Sequence, residues 1–487
     1  MIERSLLLMY AGSGQAEIVN RGEFVSNLKP EPMKYSLLFL LFLGSFFFLQ
    51  CKKENQSQLL LGAVQQAPKH GAGSGNKFVI NIPSPGQNKD IQPAIQAALA
   101  LARSGDEIDL PEGTFSVRKT ILVTKFISFR GAGISKTILY RPENMNDSVL
   151  SADSASCLFK FSINSVTSGN VVVSDMCLKS KVPCVNTGDG GSLAADIGIK
   201  FINCLDFVIT RCHFENFGNA GVSIVHDDNT ARGLICKNEF YHNVKGPDGL
   251  GLGYGVVVCG SNKQWVSDPR FGSDNFIFVE DNTFDFHRHA IAAGGCGLYV
   301  FRFNTVINNN IGPYAGQAID AHEARQVPGT NYFSTRAVEI YNNQVINTTF
   351  KDGSAIAPGG SAKGLVENAI LIRGGEALIH DNEIQGFRFG IGMMNFVVQG
   401  PQPYPMIAQT GYSSGLKYGK EHTGSDFNYG DGDLFAWNNQ FTRYAGSDSS
   451  SQFYNYQPQY FLAERDFHLY AKPSYQSYIY PHPYSIY

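Results

Sequence analysis

Gln317 to Glu323 read QAIDAHE, which sets Asp320 and His322 two residues apart. In a strand that spacing sends both side chains to one face. An imidazole beside a carboxylate is a general base with an orienting partner, and arginine supplies the cation that offsets charge developing on an enolate. Arginine and histidine recur in matching places: Arg288 and His289 open RHAIAAG, Arg373 ends AILIR, and Arg388 precedes FGIG. We therefore take Asp320, His322, Arg373 and Arg288 as catalytic candidates, with Gln317, His289, Glu323 and Arg388 as substrate contacts. No metal or other cofactor is expected. The acidic loop with Asp426, Asp431 and Asp433 is a calcium candidate that reads first as a turn.

These residues sit in a repeated frame of a small residue, an aliphatic one and an alternating continuation. GIKFI at Gly198, GVSIV at Gly221, GVVVC at Gly255, AIAAG at Ala290, AIDAH at Ala318, AILIR at Ala369 and GIGMM at Gly390 all follow it. Alternation places the second and fourth residues inward: Ile199/Phe201, Val222/Ile224, Val256/Val258, Ile291/Ala293, Ile319/Ala321, Ile370/Ile372 and Ile391/Met393. The third and fifth then face solvent. On that face Asp320 and His322 stand beside Arg373, while Ala292 and Gly294 leave room for a groove with a floor of small side chains. Arg288, His289 and Arg388 are expected to wall it.

A second pattern, an apolar strand followed by Asn-x-apolar, recurs at Asn238, Asn282, Asn304, Asn343, Asn382 and Asn439. Asparagines stacked at one turn hydrogen-bond coil to coil, a structural role. Upstream, DIQPAIQAALALARSG predicts a short amphipathic helix from Asp90, stopped at Gly105, before EIDLPEGTF and FRGAG. Helix, strand and FRGAG resemble the opening of the pectin-lyase-like family. The resemblance implies an all-β, single-stranded right-handed parallel β-helix whose short N-terminal helix caps the open end.

The family resemblance further implies an acidic polysaccharide as partner and a lyase- or epimerase-like activity. Asp320, His322 and Glu323 resemble the Asp-Pro-His-Glu/Asp motif of alginate C5-epimerases, with Ala321 in place of proline. The polygalacturonase and classical pectate lyase signatures are absent, so pectin is not the expected substrate. A noncatalytic glycan-binding surface protein and a glycoside hydrolase are the alternatives.

The chain has 487 residues with 39 basic against 42 acidic, a net charge of −3, and offers no field for nucleic acid. Gly is abundant at 51, and aromatic residues reach 12% against 17% charged, a profile of strands and tight turns. Met33-Lys34, the apolar run Tyr35 to Leu49 and then Cys51 resemble a bacterial lipoprotein signal, with Cys51 lipidated and Gln50 where a small residue is usual. We expect residues 1–50 to be an early extension plus this signal, 51–75 a tether and 76–445 the β-helix. Residues 446–487 then form a Tyr/Pro-rich tail packed on the solenoid. This places the protein in the cell envelope, on a membrane through its lipid anchor, as a monomer. The other cysteines read as buried thiols.

Overall fold

The computed structural model describes residues 77–142, 157–163, 169–180, 196–226, 232–244, 252–260, 268–307, 317–322, 326–327, 330–331, 334–350, 354–356, 364–394, 433–444, 450–459 and 461–486. Cys51, the leader, the tether, Glu323, Asp426 and Asp431 lie outside them. Among the described residues no helix is long and apolar enough to cross a membrane.

The chain winds as a parallel β-helix with three faces. One twenty-stranded sheet bends at a turn into a first and a second face, and a ten-stranded sheet forms the third. One coil reads in order: third face Tyr254–Gly260, first face Ile277–Glu280, second face Thr283–Asp285, then third face again at His289–Gly294. Each strand of these two sheets pairs in parallel with its counterpart on a neighbouring coil, so Ile291 meets Ile319 and Ile319 meets Ile370. At the open N-terminal end lies the expected helix, Gln92–Leu101, with Ala94, Ile95 and Ala98 buried on the solenoid.

All the residues expected to point inward belong to one continuous core. The small residue that starts each frame has a steric cause. A Cβ added at Gly255 would lie 2.6 Å from a Phe284 ring carbon, and one at Gly221 would lie 2.9 Å from Phe240. Those rings stack coil on coil, Phe214 on Phe240 at 4.9 Å and Phe240 on Phe284 at 4.7 Å. The frame therefore records room for a phenylalanine ladder.

The asparagines form the expected amide ladder between the first and second faces. Asn238 Nδ2 donates to Asn282 Oδ1 at 3.0 Å, Asn304 to Asn343 at 3.1 Å and Asn382 to Asn439 at 2.9 Å. Each Oδ1 also accepts the backbone N–H of the preceding asparagine, so every buried amide is satisfied in a sharp turn. The residue just before each, such as Asp281 and Asn342, takes a positive φ to make the corner.

The C-terminal tail runs back over the first face. Tyr475 Oη donates to Glu339 at 2.5 Å, Arg302 donates to the carbonyls of Tyr478 and Ile479 at 2.7 and 2.8 Å, and Tyr484 Oη reaches Asp206 at 3.0 Å. Tyr480 stacks on Phe303 with ring centroids 3.7 Å apart. The seven described cysteines are buried.

Candidate functional site

Asp320 lies on the strand Ile319–Ala321, with its backbone register fixed by Ala292 on one side and Leu371 on the other. Its neighbours Ile319 and Ala321 are core residues, so its side chain leaves the solenoid as alternation requires. There the expectation of an open groove is corrected. Asp320 has no exposed surface, Arg373 is 8% exposed, and Ser223, Val257, Ala292 and Leu371, its column mates on other coils, are buried too. Outward from the core is not outward to water on this face. A second apolar cluster, including Val225, Tyr254, Val257, Cys259 and Ala292, occupies it.

The structure brings four of the candidate side chains together. Arg373 holds Asp320 with both arms: Nε donates to Oδ1 at 3.0 Å and Nη2 to Oδ2. The same Nη2 lies 2.5 Å from His322 Nδ1, and His322 Nε2 lies 3.0 Å from Asp320 Oδ2. Guanidinium only donates, so Nδ1 accepts and Nε2–H faces the carboxylate. His289 approaches from the preceding coil with Nε2 3.9 Å from Asp320 Oδ2. Its Nδ1 lies 2.5 Å from the Gln317 carbonyl, which only accepts, so Nε2 bears a lone pair. That buried nitrogen has no hydrogen-bond partner.

Burial alone would raise the Asp320 carboxyl, but Arg373, His322 and His289 reverse this and hold it well below the usual carboxylate range. His289 is pushed down to about 3, chiefly by burial and then by Arg288. The cluster thus combines an ionised, dry carboxylate with a neutral imidazole beneath it. His322 forms its edge, with a side chain 12% exposed.

Other expected members stand apart. Arg288 donates to the Tyr254 hydroxyl at 3.3 Å at the start of its strand and lowers the pKa of His289. Arg388 lies over the Phe389 ring at 4.9 Å and 4.0 Å from Glu367. The pairing of Asn368 with Phe389 puts it at the far end of the strand from Arg373, so it walls no groove around Asp320. Gln317 contributes its backbone carbonyl. His287 lies in the turn before the strand His289–Gly294, where its neutral ring has one N–H to give, to the Phe240 carbonyl 3.1 Å from Nε2 or to the Asn243 carbonyl 3.4 Å from Nδ1, a turn role. Two residues were not foreseen. Tyr254 stacks on His289 at 5.5 Å, and Tyr299 sends its hydroxyl through the core to the Asp320 carbonyl at 3.4 Å. Lining up GYGVVV with RHAIAA would have paired Tyr254 with His289; Tyr299, on another face, left no such signal.

His289, Asp320 and His322 also have ligand atoms close enough for a metal ion. The donor set argues against one: Arg373 occupies His322 Nδ1 and both carboxylate oxygens, and His322 turns an N–H toward the gap.

No family model and no curated protein matches the chain. Among solved structures it resembles Geobacillus virus E2 ORF18 at 14% identity, covering 66% of this chain and 58% of that one with a TM-score of 0.37. A DFA-IIIase mutant from Arthrobacter chlorophenolicus A6 in complex with DFA-III is 13% identical over 77% of this chain and 87% of that one, TM-score 0.40. An alginate lyase from Paenibacillus sp. str. FPU-7 is 13% identical, covering 78% and 98%, TM-score 0.39. At these values the likenesses decide nothing about chemistry, and the architecture rests on the strand pairing above.

Proposed function

We propose that the chain acts on an acidic polysaccharide, in a lyase- or epimerase-like manner, at the Asp320, His322 and Arg373 cluster. One observation carries this reading: the outward column that holds Asp320 accepts Val257, Ala292 and Leu371 on other coils, all buried. The fold thus has no need of a charge there. A buried ion pair contributes little net stability compared with apolar packing, so its presence points to a use.

In this account Asp320 is a positioning residue that takes the Nε2–H of His322 and leaves the proton-accepting lone pair at Nδ1. At rest that lone pair is covered by Arg373. A uronate carboxylate that draws Arg373 toward itself uncovers Nδ1 at the moment its own charge is offset, and His322 then removes the proton next to the carboxylate. If the C4–O bond then breaks, its oxygen taking a proton from water or from His322, the lyase product results; if a water on the opposite face protonates C5 instead, the epimer results.

A noncatalytic glycan-binding face is the second reading, favoured by the engagement of both His322 nitrogens. Hydrolysis is less well supported, since a hydrolase uses paired carboxylates and the described cluster holds Asp320 alone. The Cys51 signal supports a lipid-anchored, cell-envelope location, where such polymers are met.

The test is a screen of uronate-containing polymers for absorbance from unsaturated products and for C5 inversion by NMR, with wild type and His322→Ala. The proposal expects turnover that His322→Ala loses while polymer binding is largely kept. Binding without turnover in the wild type would establish the second reading.

A further inference from the structure

The second face carries a cluster remote from Asp320, at the point where the amide ladder stops. Asn238 is its first member, and its Oδ1 accepts the backbone N–H of Cys212 at 2.9 Å. One residue beyond this turn, three successive coils present Cys177, His213 and Glu239 in register. Lys179 and Glu215 pair two places further along.

His213 Nδ1 lies 2.9 Å from Glu239 Oε2. A neutral His213 held by this carboxylate carries its hydrogen on Nδ1, the arrangement that orients metal-binding imidazoles. Its other nitrogen, Nε2, lies 3.4 Å from Glu215 Oε2. A lone pair facing a carboxylate oxygen at that distance needs a cation between them, a proton or a metal ion. A third donor is at hand, for the ligand atoms of Cys177, His213 and Glu215 all lie within 4.8 Å of one another. Cys177 is 3% exposed, and its thiol has no hydrogen bond among the described residues. A buried sulfur, an imidazole fixed in the right tautomer and a carboxylate make a mixed S/N/O set of the kind that suits zinc, with water for the fourth position.

We propose that Cys177, His213 and Glu215 bind one divalent ion of the zinc class, with Glu239 orienting His213 from behind. Lys179 Nζ, 2.5 Å from Glu215 Oε2, is the competitor already present. It is 37% exposed and swings into water when the ion enters. Binding releases the thiol proton of Cys177 and any proton on His213, so uptake strengthens as pH rises. The ion ties two coils together where the asparagine staples end.

Full-length protein, freed of metal by a chelator, is titrated with Zn2+ and separately with Co2+. The expected result is one ion per chain and a thiolate-to-cobalt charge-transfer band. Both are lost in Cys177→Ser and His213→Gln and kept in His322→Ala, which separates this site from the Asp320 cluster. Glu239→Gln weakens binding by about 10 to 100-fold. Failure of the wild type to bind, or binding unchanged in Cys177→Ser and His213→Gln, overturns the site. Should those variants melt early, the wild-type cobalt band decides, and its absence overturns the proposal.

Discussion

Two buried arginine–carboxylate pairs lie on different faces of this solenoid and are finished differently. On the first face Arg302 and Glu280 are wholly buried, 2.6 Å apart. Every arm of Arg302 is spoken for, by Glu280, the Tyr341 hydroxyl and two tail carbonyls. Glu280 also accepts the backbone N–H of His482 at 2.9 Å. On the third face Arg373 also holds its carboxylate, Asp320, with two arms, but a histidine shares the arginine and reaches the edge, and the His289 lone pair is left unanswered. A charge satisfied on all sides is a clasp; one flanked by an edge histidine and a nitrogen without a donor is where the proposed function places its ligand.

Arg302→Ala sets the upper end of the contrast. It strands Glu280 and releases the tail, and chemical denaturation should register a loss of about 3–5 kcal/mol. An unfolding midpoint close to wild type would remove the clasp from the account.

Acid comes next. His287 and His482 are pushed down to about 4 and His289 to about 3, burial being the main cause in each. The unfolded chain takes up protons that the folded one refuses, so stability falls as pH drops below about 6.5, by roughly 1.4 kcal/mol per pH unit for each histidine. Asp320, held low, adds to the loss at still lower pH. Glu339 under the tail has the opposite sign. Burial raises it to about 7, so its contribution is present in acid and lost as pH rises from about 4.5 through that value. Denaturation midpoints should therefore fall from pH 6.5 to 4.5, whereas limited proteolysis of the tail should quicken from pH 6 to 8. A flat acid profile would contradict the neutral, buried histidines.

The smallest effect on stability is expected at the functional candidate itself. His322→Ala removes a side chain at the edge and should shift the unfolding free energy by about 1 kcal/mol or less, against complete loss of any polymer turnover. A large stability loss would make His322 part of a second clasp.

Much of the architecture was legible because it repeats. Seven small-aliphatic frames and six asparagines fix the period, and a side chain that must meet its own equivalent one coil on is predictable from its type. The local union of Asp320, His322 and Arg373 followed from the same register. What failed to transfer was solvent exposure. Alternation tells which way a side chain leaves the strand and nothing of what lies over it, so on sequence alone Val257 and Asp320 read as facing water. Arg388 misled for a related reason: it holds the same place in its frame as Arg288, but that place is the strand's opening, several residues from where His322 and Arg373 meet. The Cys177 cluster was missed because its members lie on separate coils, far apart in sequence, with no short motif to mark them.

The central claim is that the Asp320 cluster serves chemistry that the fold does not require. It is tested most directly by turnover of a uronate polymer, one that the wild type processes, in the variant Asp320→Leu/His322→Ala/Arg373→Met. The expected result is a folded protein, with an unfolding midpoint at or above that of wild type, and no turnover. Wild-type turnover from that folded variant would contradict it.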